Sequence, residues 1–186
     1  MSATLLALGA LKRQSFLGAT FAAVLVGIAV PPAVAEEQTV AAFSVWQVEG
    51  ALVQTGETQA SFTGIFAGPV YVETERGPVL AGAISCPATV EIELDSGRQS
   101  ATARCAFQAG DESRLYGTLT CKGVHLVGCD GDFQIAGGSG RFAGARGEGP
   151  VTVRADFRRV AMTPEGAPEH SAAGIIYWPS LRYTLP

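Results

Sequence analysis

From residue 36 onward the chain alternates apolar and polar residues, and no window sustains the 3.6-residue period of an amphipathic helix. In 89–94, Val90, Ile92 and Leu94 alternate with Thr89, Glu91 and Glu93. In 151–157, Val151, Val153, Ala155 and Phe157 alternate with Thr152, Arg154 and Asp156, and Leu115, Gly117 and Leu119 alternate with Tyr116, Thr118 and Thr120. Successive side chains of a strand point to opposite faces, so this pattern builds strands with one face buried and one in water. Turn residues separate the runs, at Arg76-Gly77-Pro78, Asp95-Ser96-Gly97-Arg98, Gly110-Asp111-Glu112 and 128–131. Several short strands at roughly ten-residue spacing predict an antiparallel barrel or sandwich.

Residues 1–35 differ in kind. Lys12 and Arg13 are the only charges, an apolar run follows from Phe16 to Val30, Pro31-Pro32 breaks it, and Ala33-Val34-Ala35 offers small residues. That order is the one of a secretory signal peptide cleaved after residue 35. The alternative is an uncleaved anchor, for which fifteen apolar residues fall short of the roughly 20 that span a bilayer. Cleavage predicts a periplasmic or secreted protein of 151 residues with no transmembrane segment, a length that suits one domain with its own core.

Without Lys12 and Arg13, eleven basic residues stand against 17 acidic ones, and Lys122 is the one lysine left. A domain this acidic, with no basic run, argues against nucleic acid and anionic lipid as partners. Cys86, Cys105, Cys121 and Cys129 form an even set, which in an exported chain points to disulfides. Their spacings match no zinc pattern, no CxxCH invites covalent haem, and no cofactor is expected.

One hairpin can be carried to a register. With Ser96-Gly97 as a two-residue turn, Asp95 faces Arg98, Leu94 faces Gln99, Ile92 faces Ala101 and Val90 faces Ala103, so both strands show apolar residues on one face. Extending the ladder leaves Cys86 and Cys105 one diagonal apart on the inner face, with Pro87 as the site of a bulge that closes the gap. Of the three pairings that four cysteines allow, this favours Cys86–Cys105 with Cys121–Cys129, the second closing a hairpin through 124–127. The domain is read as 36–161. Residues 162–171, rich in Pro, Glu, Gly and Ala, are linker-like, and 172–186 is either a last strand or a docking segment that presents Ile175, Ile176, Tyr177 and Trp178 to a partner.

Gly137-Gly138-Ser139-Gly140-Arg141-Phe142-Ala143-Gly144-Ala145-Arg146-Gly147 is the most distinctive segment. It contains a formal dinucleotide fingerprint, but that motif needs a helix after it, and Gly144, Gly147, Gly149 and Pro150 prevent one. A glycine-rich bend between two strands fits better, with Phe142 in the core and Arg141 in water. The segment, with Asp132-Phe133-Gln134-Ile135-Ala136 before it, resembles the Gly-Gly-Ser/Thr-Gly-x-Phe and Ala-Arg-Gly stretch of the allene oxide cyclase and dirigent barrels, over about 130–149. The resemblance implies an all-β, antiparallel, eight-stranded closed barrel with an apolar interior, often a trimer. It also implies that Arg146 is pocket-associated, and Arg146 and Phe142 are the residues expected to meet a ligand. The four cysteines and the Trp178 segment depart from the plant pattern.

No catalytic set can be placed. His125 sits between Val124 and Leu126 and reads as a strand-surface residue, and His170 lies in the linker-like stretch. Glu73 with Glu75 and Glu91 with Glu93 read as solvated outer faces, and Asp130 with Asp132 are two carboxylates, too few for a calcium site. Three functions follow: a non-catalytic exported barrel binding a small apolar ligand or a protein partner, an accessory subunit of an envelope complex docking through 174–185, and a cyclase- or isomerase-like enzyme acting in the barrel cavity.

Overall fold

The structure is a computed structural model that describes residues 36–162 and 168–186. The segment read as a signal peptide lies outside the described residues. Eight strands follow in order: β1 (Glu36–Gln54), β2 (Gln59–Val72), β3 (Val79–Glu93), β4 (Arg98–Ala109), β5 (Arg114–Val124), β6 (Gly128–Ser139), β7 (Arg146–Met162) and β8 (Pro168–Leu185), with a 3-10 turn at Gly140–Phe142 between β6 and β7. Each strand pairs antiparallel with the next and β8 pairs with β1, so the sheet closes into a barrel. Closure removes the unpaired edges that an open sheet would present. Residues 163–167, the middle of the linker-like stretch, lie outside the described residues; beside them β7 and β8 pair Met162 with Pro168.

The alternation read from the sequence sets the inner face. Ile84, Cys86, Ala88 and Ile92 of β3, Ala103 and Cys105 of β4, Leu119 and Cys121 of β5, and Val151 of β7 are buried. Leu94, expected on the inner face, is instead 46% exposed in the β3–β4 turn. That turn is longer than expected. Ile92 faces Gln99 and Val90 faces Ala101, and the Gly97 N–H donates to the Glu93 carbonyl at 2.8 Å, with Gly97 at φ +67°. The loop is tied across its base by Glu93, whose carboxylate accepts from Arg98 at 2.7 Å and from the Ser96 hydroxyl at 2.9 Å.

The register therefore moves by two residues. A shift of two leaves every side chain on its face, and it moves Cys86 from diagonal to directly opposite Cys105. Their Cα atoms are 4.1 Å apart and the disulfide forms. Ser85 faces Ala106 and Ala88 faces Ala103 in one continuous register, so the chain passes Pro87 without the expected bulge.

Cys121–Cys129 also forms, across a true diagonal, with Cα atoms 5.5 Å apart. Cys121 faces Gly131 and Cys129 faces Gly123. A Cβ on Gly131 would lie 2.8 Å from Cys121 Cβ, and one on Gly123 would lie 2.9 Å from Cys129 Cβ. The two bare glycines leave the room a diagonal bridge needs.

Candidate functional site

The 137–147 segment folds as the bend its glycines predict. Gly140 (φ +62°) and Gly144 (φ +76°) take the left-handed backbone that only glycine adopts without strain. The Ala143 N–H closes the 3-10 turn on the Gly140 carbonyl at 3.1 Å. The Arg141 N–H donates to the hydroxyl of Ser113, which is 7% exposed in the β4–β5 turn, at 3.1 Å. Strand β7 follows, as the rejection of a dinucleotide site requires. The bend carries Phe142 against the core, edge-on to Phe107 with ring centroids 6.0 Å apart. Arg141 stays outside, over the Phe142 ring at 4.9 Å and 3.4 Å from Asp111. Partial desolvation raises the Asp111 carboxyl, but hydrogen bonds from Ser113 and the Arg141 charge outweigh it and hold the group below the usual aspartate range.

This bend sits at the mouth of a cavity of about 370 Å³, whose apolar lining includes Val70, Ile84, Phe107, Ile135, Phe142 and Leu181. Its polar groups are few. Gln38 and Tyr183 pair at the rim, where the Tyr183 hydroxyl donates to Gln38 Oε1 at 2.6 Å. Among the described residues Arg141 is the only charged one in the lining, and Trp178 contributes an indole. A second cavity of about 100 Å³ lies towards the other end, against Trp46, Phe66, Cys86, Leu119 and Ile176. Among the described residues neither lining contains a carboxylate.

Three buried polar atoms on β1 and β8 have no hydrogen-bond partner among the described residues: Ser44 Oγ, Trp46 Nε1 and Trp178 Nε1. Their residues are 0%, 2% and 3% exposed. They occupy neighbouring inward positions of one strand pair, since Ala42 faces Trp178, Ser44 faces Ile176 and Trp46 faces Gly174. The absence of a side chain on Gly174 makes room for the Trp46 ring, whose Cζ2 would lie 2.6 Å from an added Cβ. A buried donor left unmatched costs about 1–3 kcal/mol, so such a cluster inside an apolar barrel calls for an explanation.

Of the two residues expected to meet a ligand, the fold brings only Phe142 to a cavity. Arg146 is exposed and outside either lining, and its Nη1 donates to the neighbouring Ala145 carbonyl at 2.8 Å. It is one residue out of phase: Ala145 points inward with no exposed surface, and the next side chain along a strand must point out.

Strand alternation also divides the docking quartet. Ile176 and Trp178 are core residues at 3% exposed, whereas Ile175 is 47% exposed. Ile175 faces Val45 and Tyr177 faces Phe43 on the outer surface, and Phe43 stacks on Tyr71 with ring centroids 5.3 Å apart. His125 is not a strand-surface residue: it lies in the β5–β6 turn, half-buried, and lines the smaller cavity. Glu91, Glu93, Asp130 and Asp132 are exposed, and no group of three metal-ligating side chains occurs among the described residues.

The interior polar cluster was missed by sequence reasoning, although one signal for it exists. In the inward series Ala42, Ser44, Trp46 and Val48, a hydroxyl interrupts an otherwise apolar row.

No protein-family model matches the chain, and no curated protein matches it. Among solved structures it is similar to that of a pterocarpan synthase dirigent protein, at 13% identity over 82% of this chain and 94% of that one, with a TM-score of 0.39.

Proposed function

We propose that this protein is a non-catalytic, exported binding barrel that takes a small apolar ligand into the larger of its two apolar cavities. The observation that carries the reading is an apolar chamber of about 370 Å³, within the size range of small-molecule sites. General acid–base catalysis needs a positioned titratable group at the reacting atoms. Among the described residues, the titratable side chains in the linings are Arg141 and Tyr183 in the larger cavity and His125 in the smaller, with no carboxylate in either lining. That supports binding over the cyclase reading. The disulfides and the signal-like leader support a periplasmic or extracellular site of action.

The test is native mass spectrometry of the protein purified from its own host, with Val72→Trp as the control. Val72 lines the cavity and is half-buried, so a larger ring there fills the space with little threat to the fold. The expected result is an adduct of a few hundred daltons that the variant loses while its thermal melt stays cooperative. A protein that carries no adduct from the host overturns the reading.

A second reading, attachment to an envelope protein, is favoured by the outer row of Ile175, Val45, Phe43, Tyr177 and Tyr71. It would use Ile175 and Tyr177 and not the buried Ile176 and Trp178. A protein co-purifying with wild type and released by Ile175→Glu, with the barrel intact, would favour it.

A further inference from the structure

We infer that the smaller cavity is a second binding site, which takes the chain of a short aliphatic alcohol and meets its hydroxyl at Gln99. The inference goes beyond the reading of the larger cavity and does not depend on it. The two spaces lie at opposite ends of β6. His125, in the turn before that strand, lines the smaller one, and Phe142, in the bend after it, lines the larger.

Strand phase places the polar group. On β4 the inward row runs Gln99, Ala101, Ala103 and Cys105, and Gln99 faces Ile92, which is 3% exposed. Gln99 is half-buried and lines the cavity. Its Nε2 donates to the Gly128 carbonyl at 3.2 Å. Turning the amide over would set oxygen against oxygen, so Oε1 is the acceptor that the side chain offers. An acceptor is matched by a donor, which a hydroxyl supplies and an ether oxygen does not. His125 and Ser171 stand in the same lining. Among the described residues it holds no lysine or arginine, so a carboxylate would give up water there without a fixed counter-ion.

Size selects the apolar part. A cavity of about 150 Å³ lined by Leu, Ile and Phe takes up benzene. This one is about 100 Å³, and its apolar lining includes Trp46, Phe62, Phe66, Leu119 and Ile176. It falls short of a ring and suits an alkyl chain of about five carbons.

The test uses a pair of isomers. n-Pentanol and butyl methyl ether share one formula, and only the alcohol donates. The two tryptophans of the chain report the two cavities separately, since Trp46 lines the smaller and Trp178 the larger. In a ¹H–¹⁵N spectrum of the disulfide-bonded protein, n-pentanol is expected to move the Trp46 indole cross-peak and leave that of Trp178 in place. It should bind about fivefold more tightly than the ether, the value of one net hydrogen bond, and more tightly than pentanoate. Ala101 is half-buried in the same lining. Ala101→Leu should fill the space and abolish binding, whereas Val72→Trp in the larger cavity should leave it unchanged.

If Ala101→Leu does not fold, the comparison on the wild-type protein decides alone. Equal binding of the two isomers, or tighter binding of pentanoate, overturns the inference. Movement of the Trp178 peak alone overturns it as well and supports the larger-cavity reading. So does a Trp46 peak that stays put at every alcohol concentration that leaves the fold intact; the larger-cavity reading then still stands or falls on the adduct carried from the host.

Discussion

Ser44 has no exposed surface and its hydroxyl has no partner among the described residues, which separates it from the ordinary buried serine. Losing a partnered hydroxyl costs stability, whereas removing an unpartnered one relieves a desolvation penalty. Ser44→Ala is therefore expected to leave urea stability unchanged or raise it by up to about 1 kcal/mol. A loss of more than about 1 kcal/mol would mean that the hydroxyl has a partner in the folded protein. Phase decides the neighbouring case of Arg146. The Ala-Arg-Gly match points to the right segment, but on a strand one position separates the cavity from the solvent. Phe142 reaches the cavity because the 3-10 turn, and not the strand period, sets its direction.

Among the elements, the two cross-linked hairpins show what local reading can settle. Facing apolar rows specify which side of each strand is buried, and the expected inner face of β3 and β4 is the one observed. Register is a finer quantity. It depends on loop length, and the loop here is held open by Glu93, Ser96 and Arg98 acting together. The disulfides then differ in the loops they close, with sequence separations of 19 for Cys86–Cys105 and 8 for Cys121–Cys129. Loop-closure entropy assigns them about 3 and about 2.5 kcal/mol. The double variant Cys86→Ala/Cys105→Ala is expected to lose more stability in urea than Cys121→Ala/Cys129→Ala. The reverse order would point to native packing around the diagonal bridge, in place of chain entropy, as the larger contribution.

At the scale of the whole molecule, β8 joins the last strand to the first. It pairs with β1 on one side and β7 on the other, and it places Ile176 and Trp178 in the core. Removing residues 172–186 opens two ladders at once and withdraws both side chains. The truncated protein is expected to lose its cooperative thermal transition and near-ultraviolet dichroism. A truncated chain that still melts cooperatively would mean that seven strands suffice and that β8 is an accessory to the barrel. Closure also brings Ser44 and Trp46 from the start of the described chain beside Trp178 near its end, which creates the interior polar cluster.

Period-two alternation, turn residues and an even set of cysteines are local signals, and from them alone follow an all-β chain, its inner faces and a favoured disulfide pairing. The glycines at 140 and 144 likewise declare a bend, because positive φ is a property of a single residue. What the chain could not declare is which distant residues share a wall. The direct opposition of Cys86 and Cys105 needed the length of a loop stabilised by side-chain hydrogen bonds. The position of Arg146 outside the cavity needed the phase of β7. The meeting of Ser44, Trp46 and Trp178 needed the closure of the barrel, since strand pairing between chain ends depends on the geometry of every strand between them.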